Sequence, residues 1–600
     1  MFRLRAGGRR WPFAARAALC MGVPVIVGWA AGDVAAGLMS TIGAFTALYG
    51  SGRPYLSRAL LLGIVALSLV AAVCIGIEAA RLPWIVVPFV AMMAALATFL
   101  CNALRVGPPG AYLFALACAA GTALPAAHLS TWHTALLVFA GGAFAWIVHM
   151  TGALIWPRGP ERAAVAAAAN AVAHFIEAIG TPQQDTARHA AALAMHDSWA
   201  ALVSRQPARP RPDGTLTRLR ALNRELHLLF ATALNTPPSG RPGLLPAAAE
   251  RALRLGAEAL EPKEGTERTN PGHVPLGHQG PLQSIREGMT PWSPVLLATV
   301  RVGIATAIAG AVGQALDLER TYWAMAAAVL MLHQGLDWTR TLQRGIERSG
   351  GTLVGLVLAG AILSLHPEGL WLAATMMALQ FTIEMLVLRN YALAVVFITA
   401  VALTIATGGH PVPDIGEMLW ARGTDTLIGC AAGLAVFALT APRMSTAVGV
   451  PQEIVRTLHA IRAVIGPIAA GAVTTGPALA ARRDVQHRTI ALLQAYDASI
   501  GVSRAHRAAA ERMWPAVVAT QRLAYRVLSV CWSLDEAGPA ATERARALFG
   551  AVEPEKVGKA LSDLGAAIEG DAKPAPSGPL PDFLRAEVEA LRDCFVYGRR

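Results

Sequence analysis

Long apolar runs separated by short polar joints dominate this chain. They fall near 13–31, 34–50, 58–77, 82–100, 111–127 and 133–156, and again near 295–316, 322–336, 350–366, 369–387, 391–408 and 418–440. Most reach the ~20 residues that a helix needs to cross a hydrocarbon core. The runs 34–50 and 322–336 are short for a perpendicular span, so each is expected either half-buried or shielded from lipid by its neighbours. Glycine and proline punctuate the joints, as at Gly32-Asp33, Gly50 to Pro54, Pro83 and Gly107-Pro108-Pro109-Gly110. The pattern predicts an all-α polytopic membrane protein with two six-helix blocks, at 13–157 and 293–442.

The remaining segments read differently. A basic stretch, 1–12, precedes the first block. Residues 158–260 are rich in Ala, Arg, Glu and Leu and predict helices near 161–180, 186–204, 215–234 and 246–260. Proline-bearing breakers at 206–212 and 237–242 separate some of them. A linker with both charge signs, 261–292, leads into the second block. The tail, 443–600, predicts helices near 452–466, 477–503, 506–535, 540–550, 553–569 and 580–597. Such helices are apolar on one face, so these regions are expected to form bundles or to dock on one another.

Composition sharpens the membrane reading. Only 15% of the 600 residues are charged, against about 25% in soluble domains, and the mean hydropathy is +0.46. The net charge of +12 comes almost wholly from arginine, since lysine occurs only at 263, 556, 559 and 573. The basic residues follow no aromatic-interleaved stripe and no nucleic-acid module, so no nucleic-acid partner is expected. The seven cysteines form no CxxC and no Cys/His cluster, which leaves no metal site and no cofactor to expect. Met1 to Gly32 imitates a signal peptide, but its counterpart in the second block argues against cleavage.

Loop charge gives the expected orientation. Arg53, Arg58, Arg105, Arg340 to Arg348 and Arg389 fall on one side, together with the N-terminus, Arg158, Arg162 and Arg443. That side should be the cytoplasm, so both termini are expected there. A shift of 285 residues lays Arg16 on Arg301, Gly28 on Gly313, Gly50 on Gly335, Pro157 on Pro442 and Arg158 on Arg443. A parallel duplication is the natural reading, with the halves related about the membrane normal and a site at their interface.

No P-loop, nucleophile elbow or HExxH occurs, so no enzyme is expected. Candidate chemistry lies instead in ionisable residues within apolar runs, which lipid makes expensive. Arg16 and Arg301 either snorkel to headgroups or form a pseudo-symmetric pair for a carboxylate. Arg340, Arg344 and Arg348 share one helix face, as a topology signal or as an anion-attracting mouth, with Asp337 and Glu347 partly neutralising them. Arg422 and Asp425 stand one turn apart, as an internal pair or as a gate or proton-linked switch. His149 is either structural or a group titrating near neutral pH. Tyr322-Trp323 is either part of an interfacial belt or a stacking surface for an aromatic substrate. Glu384 is expected to pair with Arg389 at a span boundary, and Gly351, Gly355 and Gly360 to permit close helix packing.

One stretch carries a family resemblance. Tyr322-Trp323, an apolar run, the three spaced arginines, Gly351-Thr352 and then Gly355 follow in order; Arg389-Asn390-Tyr391, Gly429 and Ala441-Pro442-Arg443 come later. This order resembles the fusaric acid resistance and aromatic acid exporter family, well over 295–443 and more loosely over 11–158. The resemblance implies efflux of aromatic carboxylic acids or related organic anions across a bacterial inner membrane. It puts Asn390 and Tyr391 beside Arg16, Arg301, Tyr322, Trp323 and the three connector arginines as candidate substrate-binding residues. Arg422, Asp425 and His149 are left for coupling or gating. Some relatives work with a periplasmic adaptor and an outer-membrane channel, and a homo-oligomer is a further option. A membrane scaffold and an anion channel are the alternatives. The first block departs from the pattern: it has Leu38-Met39 where the second has Tyr322-Trp323, and it keeps only Arg53 and Arg58 in the connector. A site is therefore expected to be asymmetric or to belong mainly to the second block.

Overall fold

The computed structural model describes residues 10–123, 130–203, 206, 214–234, 244–261, 280–290, 293–318, 320–335, 338–444, 449–500, 504–570, 572–576 and 578–597. Arg3, Arg5, Arg9, Trp292, Asp337, most of the linker 261–292 and most of the two proline-bearing breakers lie outside the described residues. Every regular element among the described residues is a helix. The chain opens with α1 (Trp11–Ala30), α2 (Val34–Ala44), α3 (Tyr55–Ala80), α4 (Pro83–Ala103), α5 (Tyr112–Gly121), α6 (Thr131–Met150) and α7 (Gly152–Ile155). There follow α8 (Gly159–Glu177), α9 (Gln184–Val203), α10 (Thr215–Leu234) and α11 (Leu244–Leu260). Then come α12 (Pro281–Gly288), α13 (Pro294–Ala315), α14 (Tyr322–Leu332), α15 (Trp338–Leu365), α16 (Gly369–Leu386), α17 (Tyr391–Ala406) and α18 (Ile415–Met444). The last group is α19 (Val450–Ala469), α20 (Gly476–Ile500), α21 (Arg504–Ala537), α22 (Ala541–Phe549), α23 (Pro554–Glu569) and α24 (Asp582–Tyr597).

The protein is thus an all-α, multi-pass membrane protein. Among the described residues, 8 helices are long and apolar enough to cross a membrane. Four shorter apolar stretches, Val34–Leu48, Tyr112–Gly121, Tyr322–Leu332 and Tyr391–Ala406, take the second and fifth places of each block. The 11 residues of α14 rise only about 16 Å, well short of a ~30 Å hydrocarbon core. Every residue from Trp323 to Leu332 is buried, so α14 is shielded by protein on all sides. Of the two expected explanations for a short run, shielding is the one observed here. The long helices instead expose Leu60, Ile64, Leu67, Met92, Leu353 and Val357, an outer surface suited to lipid tails.

The chain divides into two compact units: 1–51 with 57–157 and 281–447, and 52–56 with 158–280 and 448–600. In the first, α1 packs on α16 and α13 on α4, so the opening helix of each block lies against the fourth helix of the other. Glycines set the closest approaches. A Cβ on Gly351 would lie 2.5 Å from the Ala392 carbonyl oxygen, and one on Gly355 would lie 2.7 Å from that of Val396. The four-residue glycine spacing therefore presses α15 onto α17. Gly429 similarly abuts the Ala324 carbonyl and brings α18 onto α14. The first block shows like contacts, with Gly43 and Gly141 between α2 and α6, and Gly76 and Gly121 between α3 and α5. Gly360 meets only the Leu419 Cδ1 at 3.1 Å, a flexible end that can move aside.

The second unit answers the expectation of bundles that dock. Val172, Phe175 and Ile176 of α8 and Leu226 and Phe230 of α10 share one core with Ile454 and Ile461 of α19 and Leu523 and Val527 of α21. The Phe230 ring stands 5.3 Å from Phe175 and 5.2 Å from Tyr525, joining segments far apart in the chain. Within this core His227 is buried between Trp199 and Trp532, and its Nδ1 lies 2.8 Å from the Asn223 carbonyl oxygen. Burial pushes its pKa down from 6.5 to about 4.

Two outcomes follow from these contacts. Gly351→Leu should lower the thermal midpoint of the purified protein by several degrees, the effect of overpacking worth ~1–3 kcal/mol; Gly360→Ala should be neutral or stabilising. Equal midpoints for both variants would contradict the tight α15–α17 approach. For His227, the unfolded chain gains a proton near pH 6.5 while the fold holds the ring neutral to about 4. Its stabilising effect is therefore complete above pH 6.5 and is lost as pH falls towards 4, roughly 2 kcal/mol being gone by about pH 5. Hydrogen-exchange protection of α10, corrected for intrinsic rates, should drop between pH 7.5 and 5 in the wild type and drop less in His227→Gln.

Candidate functional site

The three connector arginines lie along α15, and the four-residue spacing lifts each about 6 Å above the last on one face. Arg340 is exposed, Arg344 half-buried and Arg348 fully buried, so the row descends from solvent into the protein. Arg344 Nη1 donates to Gln334 Oε1 at 2.6 Å, and its guanidinium lies 5.2 Å from the centre of the Tyr391 ring. Glu347 accepts from Gln343 Nε2 at 2.7 Å, so its carboxylate is engaged by an amide as well as standing on the arginine row. Arg348 has Tyr112 of α5, Tyr391 of α17 and Cys430 of α18 as its electrostatic neighbours. Its Nε and Nη1 have no hydrogen-bond partner.

A second buried guanidinium stands beyond it. Arg422 of α18 is fully buried and lies 3.8 Å from the centre of the Trp323 ring, with Nε and Nη2 lacking hydrogen-bond partners. Asp425, one turn along, is 0% exposed and neither of its oxygens accepts a hydrogen bond. The expected closed pair between Arg422 and Asp425 is therefore replaced by an arginine stacked on an indole. The cause is the contact at Gly429, which brings α14 close enough for the Trp323 ring to meet the guanidinium. The same contact changes the reading of Tyr322-Trp323. One face of Trp323 is taken by Arg422, and Tyr322 tilts against it at 4.8 Å and 34°.

The cluster runs against the usual economics of burial. Removing a guanidinium from water costs several kcal/mol even after relaxation, whereas a desolvated cation–π contact returns about 2 kcal/mol or somewhat more. Among the described residues of the cluster, two buried guanidiniums carry N–H groups without hydrogen-bond partners, and the carboxylate nearest Arg422 is Asp425. Tyr112, Tyr322, Trp323 and Tyr391 supply aromatic walls around the cluster.

The other expected residues lie elsewhere in this unit. Arg301 Nε donates to Thr440 Oγ1 at 2.9 Å, and the guanidinium covers the Phe437 ring at 4.5 Å. Arg16 lies near His149, which is buried and meets the Phe13 ring edge-on at 5.8 Å. Arg301 thus engages the last helix of its own block, whereas Arg16 bears on α6 only through its charge. Asn390 caps α17, its Oδ1 accepting from the Leu393 N–H at 3.0 Å. Glu384 pairs with Arg10 at 2.8 Å instead of Arg389, because α1, which Arg10 immediately precedes, packs on α16. Tyr112, Cys430 and Arg320, the last coupled to Asp425 and Tyr322, join the cluster without any local sequence signal.

Residues 307–436 match the profile of the fusaric acid resistance protein-like family. The chain is 29% identical over 563 residues to the uncharacterized membrane protein YvaC of Bacillus subtilis (strain 168), covering 88% of this chain and 86% of that one. It is 31% identical over 159 residues to the uncharacterized protein YhfK of Escherichia coli (strain K12), covering 25% of this chain and 21% of that one. No solved structure matches. The family match suggests a transporter, with an efflux role, and points away from an enzyme. The stretch holding Trp323, Arg348, Tyr391, Arg422 and Asp425 is accordingly a fusaric acid resistance protein-like segment of a multi-pass membrane protein.

Proposed function

We propose that this protein exports aromatic carboxylic acids, or closely related organic anions, across a bacterial inner membrane, with both termini in the cytoplasm. The observation that carries the reading is the pair of buried guanidiniums, Arg348 and Arg422, whose free N–H groups lie among aromatic side chains. A planar guanidinium suits a carboxylate, and the aromatic walls suit an aryl ring. The exposed-to-buried row Arg340, Arg344, Arg348 supplies an electrostatic approach to that site. An interior-negative membrane potential favours outward movement of an anion by about 2.3 kcal/mol per 100 mV. No separate energy-converting domain is then required.

The purified chain in liposomes should release trapped, labelled 4-hydroxybenzoate when an interior-negative potential is imposed. Arg348→Gln and Arg422→Gln should each cut that flux at least about tenfold, equivalent to ~1.4 kcal/mol of binding. Arg340→Ala should slow entry only modestly, and the difference should fade at high ionic strength because the group is solvent-screened. Absence of potential-driven flux for every member of an aromatic-acid panel would sink the export reading. Equal flux in the wild type and both buried-arginine variants would move the site elsewhere.

A further inference from the structure

Asp425 is the acidic member of a cluster that otherwise presents cations and phenols. Along α18 it faces Arg422; from α14 it faces Tyr322, and from the segment before α14, Arg320. From α15, Arg348 stands beyond Arg422. The remaining neighbour, α13, turns Arg301 towards Thr440, at the opposite end of α18. Asp425 is fully buried, and both oxygens are without hydrogen-bond partners. Without a ligand, its negative charge offsets one of the two buried guanidinium charges.

Taking the cluster as the anion site just described, we propose that Asp425 is a tethered counter-ion, which competes with the transported carboxylate for Arg422 and takes up a proton when that carboxylate binds. When Arg422 turns to the incoming anion, Asp425 keeps its burial and loses its compensating charge. An ionised carboxylate in that setting is far costlier than the neutral acid. One carboxylate oxygen therefore binds a proton from water, with no change in electron count. The proton is released to the side it came from when Asp425 regains Arg422, so the anion alone crosses and its charge still moves down the membrane potential. Asp425 then acts as a gate that lowers the net positive charge of the interior between turnovers.

Benzoate stays ionised between about pH 5.5 and 8.5, which makes it a suitable probe for the purified full-length protein. Wild-type affinity should fall as pH rises, approaching tenfold per pH unit where one proton is linked to each anion. Binding in weakly buffered solution should take up close to one proton per benzoate. Asp425→Asn should bind at all these pH values about as tightly as the wild type does at the acid end, with no linked proton. Benzoate binding that is independent of pH and takes up no proton overturns the proposal and leaves the anion site standing. Failure of the wild type to bind benzoate at any pH removes the carboxylate reading instead. Infrared difference spectra of the ligand-free protein then decide on Asp425 alone: a carboxylic acid band growing as pH falls, and missing from Asp425→Asn, supports the proton site, and no such band rejects it. If Asp425→Asn does not fold, the wild-type affinity and proton-uptake measurements decide.

Discussion

A charged guanidinium inside a bilayer-sized bundle must be excused by something, and the rest of the first unit is arranged around that requirement. The Trp323 ring, three tyrosines and the Cys430 thiol surround Arg348 and Arg422, yet none of them supplies a full counter-charge. The interior dielectric raises the cost of each unsatisfied N–H and, equally, the gain when an anion arrives. Strong binding and an expensive resting state are two aspects of one arrangement. Close helix contact holds it in place: glycine at 351, 355 and 429 lets backbone meet backbone, which leaves the large side chains of α14, α17 and α18 no freedom to part.

The two blocks use similar scaffolding for unequal purposes. Glycine-mediated contacts join the second helix to the sixth, and the third to the fifth, in both. The opening helices exchange partners, α1 lying on α16 and α13 on α4. The first block nevertheless contributes to the cluster mainly through Tyr112, because Leu38 stands at the place of Trp323 under the 285-residue offset. Arg16 and Arg301, which that offset pairs, occupy separate niches, near α6 and against α18.

Much of this was legible in the chain because hydropathy reports burial in lipid directly. The twelve apolar runs, the one-sided arginine row and the close-packing glycines at 351 and 355 all express a local period or a local composition. The cluster itself was only half legible. Arg348, Arg422, Trp323 and Tyr391 stand out as costly or bulky residues in apolar runs, but their meeting depends on which helix faces which. Asp425 three residues after Arg422 invites a local pairing, and only the approach of α14 at Gly429 reveals the competing indole. Tyr112 offers no hint at all, being a single tyrosine at the start of a 10-residue helix.

The shared core of the second unit has a consequence for how the molecule is made. Phe230 leaves the ribosome long before Tyr525, which packs on it, and the whole second membrane block is synthesised between them. At roughly 5–20 residues per second, the apolar faces of α8 and α10 wait some tens of seconds for their partners. During that interval a half-built core is open to chaperones and proteases. Completion of the last helices thereby serves as a check that the second membrane block has been translated before the unit can close.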